Sequence, residues 1–247
     1  MTDLHATLPP ALRKALDLFT VPPTNPDVSK GYLDLLGAGE DVGTPKNTGA
    51  IQKVWASPVG SLFYDNAQAL ARRLFTAWQH PQDWLNIPQG GVALDVGCGP
   101  GNVTAMLADA VGPDGLALGV DISEPMLARA VRSNSRPQLG FMRADAQRLP
   151  LRDDTVDAIV SIAVLQLVPD PSAAVAEMAR VLRPGARLAI MVPTVGRPGP
   201  FWRLIPNPGA RFFTDDELGD ILEEQGFDAV RTKNVGPLQW VRGRRAS

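Results

Sequence analysis

Three aspartates and a glycine-rich turn are the residues in this 247-residue chain whose types and spacing could bind a ligand. Asp95 precedes the turn GCGPG, Asp121 ends the run LALGVD, and Asp145 follows the run FMRA. Glycines in a turn let a ligand approach the backbone without meeting a Cβ atom. A carboxylate can accept both hydroxyl protons of a ribose, or a bond from an amino group such as that of adenine. We therefore expect a site for a ligand that carries hydroxyl and amino groups.

The turn stands where an apolar run ends and a helical pattern begins. The first turn of such a helix directs unpaired N–H groups outward and favours a phosphate or a carboxylate, and geometry alone does not choose between them. The dinucleotide fingerprint G-x-G-x-x-G requires a third glycine where this chain has Asn102. A dinucleotide site is thus the weaker alternative. Taken singly, the turn could be a simple tight turn and Asp121 a simple helix-start residue.

The elements that must position these residues can be read from the apolar pattern. After Gly91, short apolar runs (VALDV, LALGV, FMRA, DAIVSIAV and RLAIMVP) alternate with helical stretches, which predicts an α/β fold with a mostly parallel sheet. In such a sheet the three aspartates should converge at the carboxyl edge. Ser123 is expected to N-cap one helix, and Thr214 with Glu217 to form a capping box before another. The runs FDAVRTKNV and PLQWV predict a C-terminal hairpin.

The composition changes along the chain and divides it into three parts. Residues 1–50 are rich in proline and glycine and predict an extension wrapped over a domain. Residues 51–89 have apolar positions at helical spacing and predict two helices. Residues 90–247 contain the alternating pattern and predict the ligand-binding α/β domain.

Charge and cysteine content limit the partners and the compartment. A net charge of -2 gives no broad positive field, so no nucleic-acid partner is expected. The N-terminus lacks the basic start and apolar run of a signal peptide, and no stretch reaches the roughly 20 apolar residues of a membrane span. The single cysteine, Cys98, fits a reducing cytoplasm. We expect a cytoplasmic protein with a small-molecule partner and no metal site.

Five longer motifs carry a resemblance to a known family. In order and spacing they resemble the motifs of class I S-adenosylmethionine-dependent methyltransferases; they are LDVGCGPGNVT, GVDISEPMLARA, MRADAQRLPLRDDTVDAIVSIAVLQLV, EMARVLRPGARLAIMVP and FFTDDELGDILEEQGF. The resemblance covers residues 90–230 and is strongest to the small-molecule branch that includes ubiquinone and menaquinone C-methyltransferases. It implies a Rossmann-like, doubly wound, mostly parallel seven-stranded sheet with a C-terminal antiparallel hairpin strand and an N-terminal helical lid. It also implies S-adenosylmethionine as donor and S-adenosylhomocysteine as product.

The resemblance also implies roles for individual residues. The glycine loop would receive the methionine part of the donor, while Asp95 steadies the loop or the donor's ammonium. Asp121 and Ile122 would hold the ribose and adenine, and Asp145 and Ala146 the adenine edge. The complete predicted donor set is Tyr64, Asp95, Gly97, Cys98, Gly99, Asn102, Asp121, Ile122, Met126, Asp145, Ala146 and Ser161. A tight-loop role for Cys98 is favoured over a nucleophilic one, since no activating neighbour is near it in sequence.

The acceptor side departs from the family pattern. Many relatives read L-H-H where this chain has Gln166, which can form hydrogen bonds but cannot act as a base. Gln166 and Trp202 are the substrate-side candidates, Tyr64 is the lid candidate, and no catalytic residue is assigned. We expect transfer of a methyl group to a carbon, oxygen or nitrogen of a small apolar metabolite or lipid-linked intermediate. A nucleotide-cofactor oxidoreductase and a non-catalytic scaffold or regulator that binds the donor are the alternatives.

Overall fold

A computed structural model describes residues 8–37, 84–193, 211–236 and 238–247. Its centre is a sheet of eight strands in the order β1-β4-β3-β2-β5-β6-β8-β7. The strands are β1 (Leu33–Asp34), β2 (Val92–Val96), β3 (Leu116–Asp121), β4 (Leu139–Arg143), β5 (Val156–Ile162), β6 (Leu182–Pro193), β7 (Phe227–Val235) and β8 (Leu238–Arg245). All pairs from β1 to β6 are parallel, whereas β8 pairs antiparallel with both β6 and β7. The predicted α/β class, parallel sheet and C-terminal hairpin are therefore confirmed.

The described helices alternate with the strands. They are α1 (Pro10–Leu16), α2 (Asn102–Val111), α3 (Glu124–Ser133), α4 (Pro171–Val181) and α5 (Glu217–Glu224), with a 3-10 turn at Leu165–Leu167. Two apolar layers cover the sheet. One holds side chains of α1, α4 and α5, and the other holds side chains of α2 and α3. Coverage of both faces explains why β2 and β3 are buried along nearly their whole length.

Two expected helix caps form differently from the prediction. Ser123 is the N-cap residue of α3, but its side chain makes no capping bond, and its backbone N–H donates to Asp121 instead. In the predicted capping box, Glu217 Oε2 accepts from the Thr214 N–H at 3.0 Å, but α5 begins only at Glu217, after Asp216. The prediction of Thr214 as N-cap was wrong, because the chain makes one more turn before the helix starts.

The N-terminal extension contributes to the fold. Helix α1 packs against β3 and β4, with Leu12 and Ala11 lying beside Gly140. The two-residue strand β1 then pairs with β4 and adds an eighth strand to the seven that were expected. A two-residue strand from a proline- and glycine-rich segment leaves no period-2 pattern, so the sequence could not reveal it.

Several predictions concern residues outside the described parts of the chain. These include most of the predicted helical lid, residues 51–83, with Tyr64, and the segment 194–210 with Trp202. In the described end of the lid region, the guanidinium groups of Arg187 and Arg242 both lie over the Trp84 ring, at 4.5 and 4.2 Å from its centroid. No helix in the described parts of the chain is long and apolar enough to cross a bilayer.

Candidate donor-binding site

The glycine loop connects β2 to α2 at the carboxyl edge of the sheet, next to β3. The N–H groups of Gly97 and Cys98 both donate to the Val120 carbonyl, at 2.7 and 3.0 Å. Gly97 has φ +77, and a Cβ atom there would lie 2.0 Å from Val164 Cγ2. Only glycine fits this position, because of both its backbone angle and the neighbouring valine. The loop is therefore held tightly against two neighbouring strands.

Asp95 lies beneath the loop and supports it. Its side chain is 2% exposed, and Oδ2 accepts from the Thr104 hydroxyl in α2 at 2.7 Å. Burial is the main cause that raises the pKa of Asp95 to about 7; the bonds from Thr104 oppose the shift, and the nearby Asp121 adds to it. The carboxyl thus binds its proton near neutral pH, and it ties the end of β2 to the first turn of α2.

Asp121 ends β3 and joins the glycine loop to α3. Its Oδ2 accepts from the Gly99 N–H, and its Oδ1 accepts from the Ser123 N–H, each at 2.8 Å. Burial raises the pKa of Asp121, whereas the N–H groups of Ser123, Gly99 and Ile122 favour the ionised form. The carboxylate is therefore fixed in orientation at the point where the loop and the next strand meet.

Asp145 lies beside Asp121 at the same edge. Strand β4 pairs with β3 so that Asp121 faces Arg143, and the Ala144 N–H donates to the Asp121 carbonyl at 3.3 Å. Asp145 Oδ1 accepts from the Gln147 N–H at 2.9 Å, which closes a turn at the end of β4. Ala146 is partly buried against the core. The structure thus brings the ends of β2, β3 and β4, with their three aspartates, to one edge, as the sequence predicted.

Comparison with known proteins agrees with this arrangement. The family model described as a methyltransferase domain matches residues 94–190. A demethylmenaquinone methyltransferase of Roseiflexus castenholzii is 31% identical over 174 residues, which cover 60% of this chain and 73% of that protein. The chain belongs to the class I S-adenosylmethionine-dependent methyltransferases. A 2-phytyl-1,4-naphtoquinone methyltransferase of Thermosynechococcus vestitus is 41% identical over 110 residues, 44% of this chain and 49% of that protein.

The fold comparison gives the same family. A crystal structure of a S-adenosylmethionine-dependent methyltransferase from Aquifex aeolicus superposes with a TM-score of 0.55 at 25% identity, over 79% of this chain and 97% of that chain. Four curated relatives, among them the Thermosynechococcus protein, are matched over only 32% to 49% of their own length. The family model itself begins within β2 and ends within β6.

Other predicted donor residues lie around the glycine loop. Asn102 is the first residue of α2, directly after Gly101. Ile122 is half-buried, and its carbonyl accepts from Arg143 Nε at 3.3 Å. Met126 lies in the first turn of α3 and is buried, with 7% of its surface exposed.

Two other predicted residues have their side chains engaged in the interior. Ser161 is fully buried, and its hydroxyl donates to the Val96 carbonyl at 3.0 Å, so it ties β5 to β2. Cys98 is 6% exposed, and burial raises the pKa of its thiol well above the usual value, with Asp121 and Asp95 acting in the same direction. A thiol held in its neutral form is a poor nucleophile, which agrees with the loop role expected from the sequence.

Gln166 lies in the 3-10 turn after β5, one residue beyond Leu165. It is 9% exposed, and its Oε1 atom has no hydrogen-bond partner in the described part of the chain. Its backbone carbonyl accepts from the Arg211 N–H at 2.8 Å, where the described chain resumes after residue 210. A buried amide oxygen without a partner costs free energy, so it marks a place where a ligand group could bind.

Sequence reasoning missed three residues that shape this site: Thr104, Glu124 and Arg143. Thr104 lies nine residues after Asp95, and this spacing places it in the first turn of the helix after the loop, where it could have been expected to face the aspartate. Arg143 was visible as the one charged residue in the apolar run FMRA. Glu124 gave no signal, because an acidic residue at a helix start is ordinary. In the described parts of the chain, no cluster of His, Cys, Asp and Glu is arranged to hold a metal ion.

Proposed function

We propose that the protein transfers a methyl group from S-adenosylmethionine to a carbon, oxygen or nitrogen of a small apolar acceptor. The observation that carries the proposal is the bond from the Gly99 N–H to Asp121 Oδ2 at 2.8 Å. It joins the loop that would receive the methionine part to the carboxylate that would receive the ribose. One fixed unit can therefore hold both halves of the donor.

The Asp121 carboxylate suits the ribose. Each of its oxygens accepts one backbone N–H and retains lone-pair capacity for one hydroxyl of the sugar. Two hydroxyls on adjacent ribose carbons match the two oxygens of one carboxylate. Because the backbone already fixes the plane of this carboxylate, little conformational freedom is lost when the ribose binds.

The glycine loop suits the amino-acid end of the donor. The first N–H groups of α2 favour a carboxylate, and α2 begins directly after the loop. Asp95 is buried beneath the loop, so its role is to support Thr104 and the loop, and its partial charge adds a weaker attraction for the donor's ammonium. Gly97, Cys98 and Gly99 would contact the methionine part through backbone atoms.

The adenine would lie between the ends of β3 and β4. Asp145 has acceptor capacity for the exocyclic amino group, and the partly buried apolar residues Ile122 and Ala146 directly follow Asp121 and Asp145 in the chain. Met126 supplies a polarisable thioether, which packs well on an aromatic ring. These residues select an adenine base by shape and by one hydrogen bond.

The proposed reaction needs little proton transfer by side chains of this protein. A sulfonium donor supplies an activated methyl group and leaves as a neutral thioether, so positioning the acceptor in line can provide most of the acceleration. Both histidines, His5 and His80, lie outside the described residues. Gln166 is the proposed contact for the acceptor, because its buried Oε1 can accept from an N–H or O–H group and so orient the acceptor atom.

The acceptor class is inferred from the relatives. Two of the relatives quoted above are named for quinones, namely demethylmenaquinone and 2-phytyl-1,4-naphtoquinone. Each name denotes an apolar ring: demethylmenaquinone carries an isoprenoid chain, and 2-phytyl-1,4-naphtoquinone carries a phytyl chain. We therefore propose a small apolar or lipid-linked acceptor. We also propose that the protein acts in the cytoplasm and does not act on nucleic acid.

Isothermal titration with S-adenosylhomocysteine and with NAD tests the donor assignment. The methyltransferase should bind S-adenosylhomocysteine and not NAD, and binding of NAD alone would favour the oxidoreductase alternative. Incubation of the full chain with S-adenosylmethionine labelled in the methyl group, in an extract of the producing cells, then tests transfer. Label in an extractable apolar product supports the proposal, whereas donor binding without label in any component would favour a scaffold.

A further inference from the structure

We propose that the strap, residues 27–37, is part of the donor site and that Arg143 is a positioning residue for the ribose-binding segment. The inference rests on the proposed function, because the segment concerned, residues 121–124, is the one that would hold the ribose. The strap comes from the N-terminal extension, which the family pattern covering residues 90–230 does not include. It reaches the site from outside the shared domain.

The strap contacts both elements that carry the nucleoside residues. Strand β1 pairs with the carboxyl end of β4, with Asp34 opposite Arg143, and the Leu35 N–H donates to the Arg143 carbonyl at 3.1 Å. On the other side, Gly31 lies against α3, where a Cβ atom would be 2.7 Å from Val131 Cγ1. The strap therefore bridges the strand that leads to Asp145 and the helix that follows Asp121.

Four charged side chains close this bridge into a ring. Arg143 Nη1 lies 3.2 Å from Asp34 Oδ2 and 3.0 Å from Glu124 Oε1. Lys30 Nζ lies 2.8 Å from Glu124 Oε2 and 3.7 Å from Asp34 Oδ2. The side chains of Asp34 and Arg143 are only 5% and 17% exposed, so water screens their attraction far less than that of a surface pair.

The ring acts directly on the segment that carries Asp121. Arg143 Nε donates to the Ile122 carbonyl at 3.3 Å, and Glu124 is the first residue of α3. Between these two anchors, the Ser123 N–H holds Asp121 Oδ1 at 2.8 Å. Both ends of the segment 122–124 are therefore fixed by Arg143, and the orientation of the Asp121 carboxylate follows from that segment.

A ring that only fastened the extension to the domain would affect stability and nothing else. A positioning role also affects how well a nucleoside fits Asp121. The residues around a binding group must hold it within about half an ångström of the position in which it contacts the ligand. The two roles therefore differ in ligand affinity measured on folded protein. The methionine part of the donor lies on the glycine loop, so the loss should already appear with a ligand that lacks the amino-acid end.

The experiment compares Arg143→Met with a matched control, Arg136→Met. Arg136 precedes the amino end of β4 and forms an exposed pair with Asp109 at 2.8 Å, far along the strand from the site. Affinities for S-adenosylhomocysteine and for 5′-methylthioadenosine are measured by titration on the full chain, and thermal unfolding is followed in parallel. We expect Arg143→Met to weaken both ligands by the same factor, about tenfold, and Arg136→Met to stay within about twofold of wild type.

Two further variants keep the test decisive. Arg143→Lys retains the charge but not the fork that reaches Ile122 and Glu124 together, so it should recover only part of the affinity. Glu124→Gln opens the ring at a half-exposed position and leaves no buried charge unpaired. If Arg143→Met does not fold, the ligand affinity of Glu124→Gln supplies the test. Affinities within twofold of wild type in the folded Arg143→Met protein, or in Glu124→Gln if that is the only one that folds, would overturn the inference. Failure of the wild type to bind S-adenosylhomocysteine would instead contradict the proposed function.

Discussion

Asp95 Oδ2 and the Thr104 hydroxyl are joined by a 2.7 Å hydrogen bond that lies entirely within the interior. The bond links the carboxyl end of β2 to the first turn of α2, so it holds the two sides of the glycine loop together. Thr104→Val should remove the donor, leave a buried carboxyl oxygen underbonded, and lower the free energy of unfolding by about 1–3 kcal/mol. Thr104→Ser, which keeps the hydroxyl, should lose clearly less. Urea unfolding of both variants measures this, and a Thr104→Val protein as stable as wild type would show that the bond does not stabilise the fold.

The raised pKa of Asp95, about 7, predicts how stability depends on pH. The unfolded chain releases this proton near the ordinary aspartate pKa of 3.8, whereas the folded protein keeps it up to a pKa of about 7. The contribution of Asp95 to stability is therefore largest at acid pH and falls as pH rises between these values, by up to about 1.4 kcal/mol per pH unit. The raised pKa of Asp121 acts in the same direction.

The corresponding measurement is the free energy of unfolding of wild type and Asp95→Asn between pH 5 and 8. The difference between the two proteins should change with pH, because the amide does not titrate, and wild type should lose more stability than the variant as pH rises. Parallel curves would contradict the raised pKa of Asp95.

The same carboxyl predicts proton release when the donor binds. A cationic donor near Asp95 favours its ionised form, so binding near pH 7 should expel a fraction of a proton. Titration of S-adenosylmethionine in buffers with different ionisation enthalpies measures this fraction. The released fraction should shrink at pH 8.5, where the carboxyl is already ionised, and it should vanish in Asp95→Asn.

Much of this site could be predicted from the sequence because its parts are local. The glycine turn, Asp121 and Asp145 each stand at the end of an apolar run, and strand order places such ends together. The ring of Lys30, Asp34, Glu124 and Arg143 could not be predicted, since its members lie up to 113 residues apart and depend on a two-residue strand. The bond that the Ser161 hydroxyl donates to the Val96 carbonyl also could not be predicted, because the two residues lie on different strands. A buried hydroxyl forms a hydrogen bond within the protein, here with the backbone of the neighbouring strand.

Asp121→Asn tests the ribose assignment. The amide group would place an N–H donor against the N–H of Gly99 or Ser123, and both ribose hydroxyls would lose a charged acceptor. Loss of two charge-assisted bonds predicts an affinity for S-adenosylhomocysteine about 100-fold weaker. Asp114→Asn is the control, because Asp114 is an exposed aspartate just before the amino end of the same strand. An affinity of Asp121→Asn equal to that of the control would refute the assignment.

Gly97→Ala tests whether the shape of the loop sets donor affinity. Gly97 has φ +77, and a Cβ atom would lie 2.0 Å from Val164 Cγ2, so the loop or the chain after β5 must move. Gly90→Ala is a matched control: Gly90 has a similar φ of +74, but a Cβ atom there meets nothing within 4 Å. Both variants carry the cost of a left-handed backbone, on the order of 1 kcal/mol, and only Gly97→Ala adds the clash. We expect Gly97→Ala to be the less stable protein and to lose donor affinity, with Gly90→Ala retaining it, as measured by thermal unfolding and titration with S-adenosylhomocysteine. Equal donor affinity in the two variants would show that the close packing of Gly97 on Val164 does not shape the site.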